Sequence, residues 1–192
     1  GGADALTEAV RRADAARYQE IRCRSALNSC QGMPFNWTLN PYPGCTHGCH
    51  YCFARRYHSH LELDHHPTTQ SPRRGGPGAG DSFANVIFVK VNFVQVLRRE
   101  LDRPSWKKES IGFGTATDPY QPIEGIYKIS RGVLEALRDA ASPVGIVTKG
   151  PMVVRDKDIL LDLTAGAGCG VYISVPTVDE DAWQMLEPGT AP

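Results

Sequence analysis

Apolar residues fall in two alternating patterns along most of this chain. Short, continuous, β-branched runs at 85–91 (NVIFVKV), 110–117 (SIGFGTAT), 144–148 (VGIVT) and 169–175 (CGVYISV) predict strands. Between them apolar residues recur at helical spacing. The pattern predicts helices over 93–101 with Asn92 as N-cap, over Val133, Leu134 and Leu137 with Ser130 as cap, over 155–163, and from 179 to 186. Strand, short connection and helix in repetition predict βα units and a parallel sheet. Buried parallel strands are apolar throughout rather than alternating, and VGIVT has that character. Periodicity does not separate a closed barrel from an open sheet. In both, chemistry gathers at the C-terminal ends of the strands. Asp118, Tyr120, Lys149 and Ser174 fall there.

Two segments break the pattern. Residues 4–22 are rich in Ala, Arg and Glu and read as an exposed helix or frayed arm, a solvated leader without a role of its own. Residues 65–81 (HHPTTQSPRRGGPGAGD) lose all apolar period and read as a flexible insertion. Its His65-His66 and Arg73-Arg74 pairs are a metal or polyanion contact only in the rarer case. The domain reading is an N-terminal arm, 1–31, followed by one core, 32–192.

Composition narrows the classes. With 192 residues and 41% hydrophobic content the chain can build one substantial core. Its 21 basic and 21 acidic residues balance, so global charge gives no argument for a polyanionic partner. No apolar run reaches the length of a membrane span, and the first twenty residues have no apolar signal region, so a cytoplasmic setting is expected. The chain begins Gly1-Gly2, which suggests processing, tagging or truncation.

Chemistry concentrates in PGCTHGCHYC, residues 43–52. Half of the six cysteines, Cys45, Cys49 and Cys52, stand here as C-x3-C-x2-C. Gly44 and Gly48 permit a tight loop with its sulfurs turned to one centre. Iron–sulfur clusters normally take four thiolates. Three would leave one iron of a [4Fe–4S] cube open, and open metal positions are where catalysis occurs. Zinc held by the three cysteines and His47 or His50 is the alternative, though structural zinc sites usually use two separated ligand pairs. Disulfides suit a secreted protein better, and a Gly- and His-rich loop is a poor place for core thiols. Cys23 and Cys30 read as ordinary thiols rather than a second metal pair, and Cys169 as core.

The triplet, with Tyr51 before its last cysteine, resembles the radical SAM signature. TATDPYQPIE at 115–124, TKG at 148–150, VRD at 154–156 and EPG at 187–189 make 32–189 similar to the spore photoproduct lyase-like branch. The nearest likeness is an actinobacterial subgroup reading MPFNWTLNPYPGC, as 33–45 do here. The resemblance implies a partial (βα) barrel whose first strand is FNWTLN, with 85–91 an extra element and about four of six βα units present. It implies a [4Fe–4S] cluster on Cys45, Cys49 and Cys52, and S-adenosylmethionine cleaved reductively to a 5′-deoxyadenosyl radical that takes hydrogen from a substrate. It gives cofactor-binding roles to Tyr51, Thr117, Lys149 (toward the methionine carboxylate) and Ser174. It also implies an electron donor of the flavodoxin or ferredoxin type; nucleic acid as substrate is family analogy only. Asp118, Tyr120, Gln121 and Glu124 mark the subgroup loop, with Asp118 either a loop cap or a substrate contact.

Two departures limit the transfer. Thr115 stands near the place of the lyases' hydrogen-donating cysteine, and Phe53 replaces their tyrosine after the last cluster cysteine. The DNA-lesion reaction is therefore not expected, and no catalytic residue is assigned. The missing barrel strands suggest an N-terminal fragment or a naturally shortened protein. A zinc module recognising nucleic acid through Arg55, Arg56 and Tyr57, or a non-catalytic cluster protein, are the competing readings.

Overall fold

A computed structural model describes residues 10–56 and 82–191. The insertion at 65–81 and Tyr57 lie outside the described residues, as do 1–9.

The fold is mixed α/β with a mostly parallel main sheet. Seven strands are described: β1 (Arg17–Ile21), β2 (Leu27–Ser29), β3 (Trp37–Leu39), β4 (Val86–Lys90), β5 (Ile111–Phe113), β6 (Val144–Thr148) and β7 (Cys169–Ile173). The main sheet runs β2-β3-β5-β6-β7; β2 is antiparallel to β3 and every later neighbour is parallel. The main helices are α1 (Phe93–Leu101), α2 (Ile129–Asp139), α3 (Lys157–Gly166) and α4 (Glu180–Leu186).

β4 stands outside this sheet and pairs in parallel with β1. Residues 10–15 are helical, in keeping with the expected helix, but Arg17–Ile21 is a paired strand, which corrects the reading of a solvated leader. The partner of RYQEI lies some seventy residues away, and no local period announces such a pairing.

The core lies between the sheet and α1–α3. Phe113 and Ile146 from the strands meet Leu97, Leu134, Leu137 and Leu163 from the helices, all fully buried. α1 packs on α2 and α2 on α3.

Both predicted helix caps act differently. Asn92 precedes α1, but its side chain bonds the backbone of Cys23 in both directions, at 2.8 and 2.9 Å. At α2 the Ile129 N–H donates to the Tyr42 hydroxyl and those of Ser130 and Arg131 to the Glu124 carboxylate, while the Ser130 hydroxyl turns to the Pro119 carbonyl. Glu124 thereby does the work expected of an N-cap side chain.

β5 is shorter than predicted because Gly114 turns the chain at φ 89°. β7 ends the main sheet, and Val171, Tyr172 and Ile173 on it are exposed. The predicted helix at 155–163 divides into a 3-10 turn, Pro151–Asp156, and α3.

Candidate functional site

The parallel strands β3, β5, β6 and β7 all end on one edge of the sheet, so four connections face each other there. The loop after β3 carries the cysteines. The turn after β5 carries Thr115, Thr117 and Asp118. Lys149 follows β6 directly, and Ser174 follows β7. These connections line a half-open cavity of about 390 Å³, within the size of ordinary ligand pockets. Cys45, Cys49, Cys52, Tyr51, Thr117, Lys149 and Ser174, the residues expected to hold the cluster and cofactor, line it with Asp118, whereas Tyr120 does not. Most of the wall is apolar, with Met33, Phe35, Phe53 and Phe83 contributing.

The cysteine loop is shaped by close backbone packing. Gly44 sits at φ 90°, and a side chain there would bring its Cβ within 2.5 Å of the Val86 carbonyl. Only glycine serves at that position. Cys45 N–H then bonds the Phe83 carbonyl at 2.8 Å. Cys45, Ala54 and Phe83 form a small hydrophobic cluster of their own beneath the loop, with Cys52 against it. Arg55 folds back on the loop, donating to the Cys49 carbonyl (2.8 Å) and the Gly48 carbonyl (2.6 Å) and lying over the Phe83 ring. This arginine, considered for phosphate contact, is engaged inside the loop.

The 115–124 signature is the second support. Gln121, fully buried, accepts from Thr46 N–H at 3.1 Å and donates to the Gly44 carbonyl at 3.0 Å. Glu124 accepts from the Tyr42 hydroxyl at 2.5 Å and pairs with Arg155 at 2.6 Å. Thr117 lines the cavity, but its hydroxyl lies 2.7 Å from Asn40 Oδ1 and 2.6 Å from the Tyr42 carbonyl, so it also pins the stem of the loop. Asp118 caps the turn: it accepts from Tyr120 N–H, the Thr148 hydroxyl and Lys149 N–H at 2.6–2.8 Å. Its second oxygen also lies 3.4 Å from His47 Nδ1, a buried nitrogen with no well-formed hydrogen bond.

Charge is balanced locally in this buried corner. Burial alone raises the Asp118 carboxyl, but His47, Lys149 N–H and Thr148 outweigh it and hold it below its ordinary range. Burial works against charging His47, yet Cys45 and Asp118 carry it well above the usual imidazole value.

The third support was missed in the sequence, where EPG served only as a marker. Glu187 is buried and takes both the Tyr51 hydroxyl and Lys149 Nζ, the latter at 2.6 Å. Gly189 N–H bonds the His47 carbonyl at 3.0 Å, and His50 N–H the Leu186 carbonyl at 3.0 Å. A Cβ on Gly189 would stand 2.1 Å from the Thr46 carbonyl, so the approach requires glycine. No periodicity signals this contact.

The thiols are chemically unusual. All six cysteines are free. Burial and the neighbouring Cys45 and Glu187 push the Cys49 thiol up to about 12. Burial raises Cys52 as well, with Cys45 adding to it. Thiols that resist ionisation become thiolates when a cationic centre supplies the missing positive charge. Among the described residues no group of three or more His, Cys, Asp or Glu side chains is arranged to hold a metal ion. A cluster is larger than a single ion, and its thiolates surround it rather than converge on a point. Cys45, Cys49 and Cys52 line one apolar cavity, and thiolate is the donor type such a cluster takes. Of the other cysteines, Cys23 is buried in the main core, Cys30 donates to the Phe35 carbonyl, and Cys169 is half-buried.

No family model matches this chain, and no solved structure matches it. An uncharacterized protein of Mycobacterium tuberculosis is 37% identical over 180 residues, which is 92% of this chain and 49% of that protein. An uncharacterized protein of Mycobacterium bovis is similar to the same extent. One from the archaeon Methanocaldococcus jannaschii is 22% identical over 143 residues, 73% of this chain and 45% of its own length. The chain thus spans about half the length of the curated relatives it matches. These relatives carry no assigned activity. Among the described residues no helix is long and apolar enough to cross a membrane.

Proposed function

We propose that this chain is a radical SAM enzyme, or the cofactor-binding portion of one, and that its sheet is part of a partial (βα) barrel. Cys45, Cys49 and Cys52 would hold a [4Fe–4S] cluster, with S-adenosylmethionine beside it. The observation that carries the reading is the cavity itself: seven side chains chosen from positions 45 to 174 line one space. When bound, cluster and cofactor supply one-electron cleavage of a sulfonium carbon–sulfur bond and so hydrogen abstraction from a substrate.

The chain's own residues do the positioning. Gly44, Gln121 and Arg55 fix the loop that presents the thiols. Lys149 brings a cation to the cavity wall and Ser174 a hydroxyl, 2.9 Å apart. Tyr51 lies beside Lys149, whose ammonium is 5.9 Å from its ring centre. Met33, Phe35 and Phe53 give the cavity an apolar side, as is usual in ligand pockets. The electron donor in this reading is of the flavodoxin or ferredoxin type, the setting is cytoplasmic, and the substrate is unidentified, with nucleic acid entering by analogy alone.

The test is anaerobic reconstitution with iron and sulfide, followed by reduction and EPR spectroscopy with and without S-adenosylmethionine. The expected result is a reduced [4Fe–4S] signal that shifts when the cofactor is added. Iron should be lost in Cys45→Ala, Cys49→Ala and Cys52→Ala but kept in Cys30→Ala. One bound zinc and no cluster would overturn the reading. A cluster signal indifferent to the cofactor would reduce it to a non-catalytic iron–sulfur protein.

A further inference from the structure

Lys149 is the cation that the family resemblance turns toward a ligand carboxylate, yet its hydrogen-bonding capacity is already used. An ammonium has three N–H donors. One goes to Glu187 Oε1 at 2.6 Å, one to Ser174 Oγ at 2.9 Å and one to the Ser174 carbonyl at 3.1 Å. Glu187 cannot easily withdraw. It is 2% exposed, its carbonyl accepts from the Thr190 hydroxyl at 3.0 Å, and Trp183 Nε1 holds that hydroxyl at 2.7 Å. The flanking Leu186 and Gly189 are bonded to the cysteine loop. Lys149, by contrast, sits on a flexible four-carbon stem and lines the cavity, whereas Glu187 stands behind it.

A ligand carboxylate entering here meets a cation already neutralised by a fixed carboxylate of the same sign. We propose that Glu187 is an internal competitor for Lys149, and that it sets how tightly the cavity holds ligands bearing a carboxylate. This rests on the reading that the adenosyl cofactor binds beside Lys149. The charge-assisted bond between Glu187 and Lys149 must be exchanged, or shared, before the ligand's own can form. Glutamine at 187 has the same shape and still offers an oxygen to Tyr51 and Lys149, but it lacks the competing charge.

The experiment is equilibrium dialysis of anaerobically reconstituted protein with S-adenosylmethionine and with 5′-deoxyadenosine, which has no carboxylate. Glu187→Gln should bind S-adenosylmethionine about tenfold more tightly and leave 5′-deoxyadenosine unchanged, the size of one charged hydrogen bond. In a Lys149→Met background the same substitution should have no effect. A second arm needs no variant at position 187: the unaltered protein should bind decarboxylated S-adenosylmethionine within a few-fold of S-adenosylmethionine, because the exchange gains little. Equal or weaker binding of S-adenosylmethionine by Glu187→Gln, or a hundredfold preference of the unaltered protein for the carboxylated form, overturns the proposal while leaving the cofactor site standing. Failure of every form to bind either adenosyl compound overturns the cofactor site itself and the proposal with it.

Discussion

Gln121 joins the 115–124 turn to the cysteine loop through a single side chain, so replacing it isolates what that joint contributes. Gln121→Met keeps the length and volume and deletes both hydrogen-bonding groups. It strands two buried backbone groups, Thr46 N–H and the Gly44 carbonyl, now satisfied at 3.1 and 3.0 Å. Each group left unpaired costs about 1–3 kcal/mol, giving a total of roughly 2–5 kcal/mol after the gain from burying the thioether. For a chain of this size that corresponds to a fall in Tm of roughly 5–15 °C. The loss should also be local. Cys45 and Cys49 are buried in the intact loop, so the variant should expose them faster to a thiol reagent at temperatures well below its Tm. Thermal unfolding followed by circular dichroism gives the first quantity, and thiol-modification kinetics with peptide mapping gives the second. A melting point within about 2 °C of the parent, together with unchanged Cys45 and Cys49 rates, would refute the claim that Gln121 holds the loop.

Two further outcomes follow from other contacts. Gly189→Ala places a Cβ 2.1 Å from the Thr46 carbonyl, so it should lower stability by about 1–3 kcal/mol and speed proteolysis near residue 189; denaturant unfolding and limited digestion check both. Asp156 is a buried carboxylate paired with Arg131 (3.1 Å) and Arg155 (2.7 Å). Burial alone raises its carboxyl, but Arg155 and Arg131 outweigh that and hold it below the usual range. Its stabilisation is thus present above the unfolded value, about pH 4, and is lost as pH falls through the lower folded value. Asp156→Asn should lose about 3 kcal/mol at pH 7, since both arginines are partly exposed, and should show a shallower loss of stability below about pH 4 in urea titrations.

Much of the fold was legible because it rests on local pattern. VGIVT became β6 and Phe93–Leu101 became α1 with the bounds that the sequence suggested. Asp118, Lys149 and Ser174 were legible for a related reason, since parallel strands deliver their ends to one edge; Tyr51 and Thr117 were singled out by resemblance alone. What escaped depends on distant partners. RYQEI reads as part of an arm until β4 lies beside it. Asn92 and Ser130 have the right identity for caps, but Cys23 and Pro119 lie nearer to their side chains. Gln121 and Glu187 looked like motif letters because their partners, Thr46 and Tyr51, are reached only once the loops fold over one another.

That last contact gives the site a history as well as a shape. Tyr51 and Glu187 are 136 residues apart along the chain. A ribosome adding about 5–20 residues per second needs on the order of ten seconds to travel that distance. Through that interval the three thiols have been made while Glu187 and Gly189, which close over their loop, have not. The cysteine loop is therefore made first and covered late, because its contacts with Glu187 and Gly189 wait on a segment synthesised well after the thiols.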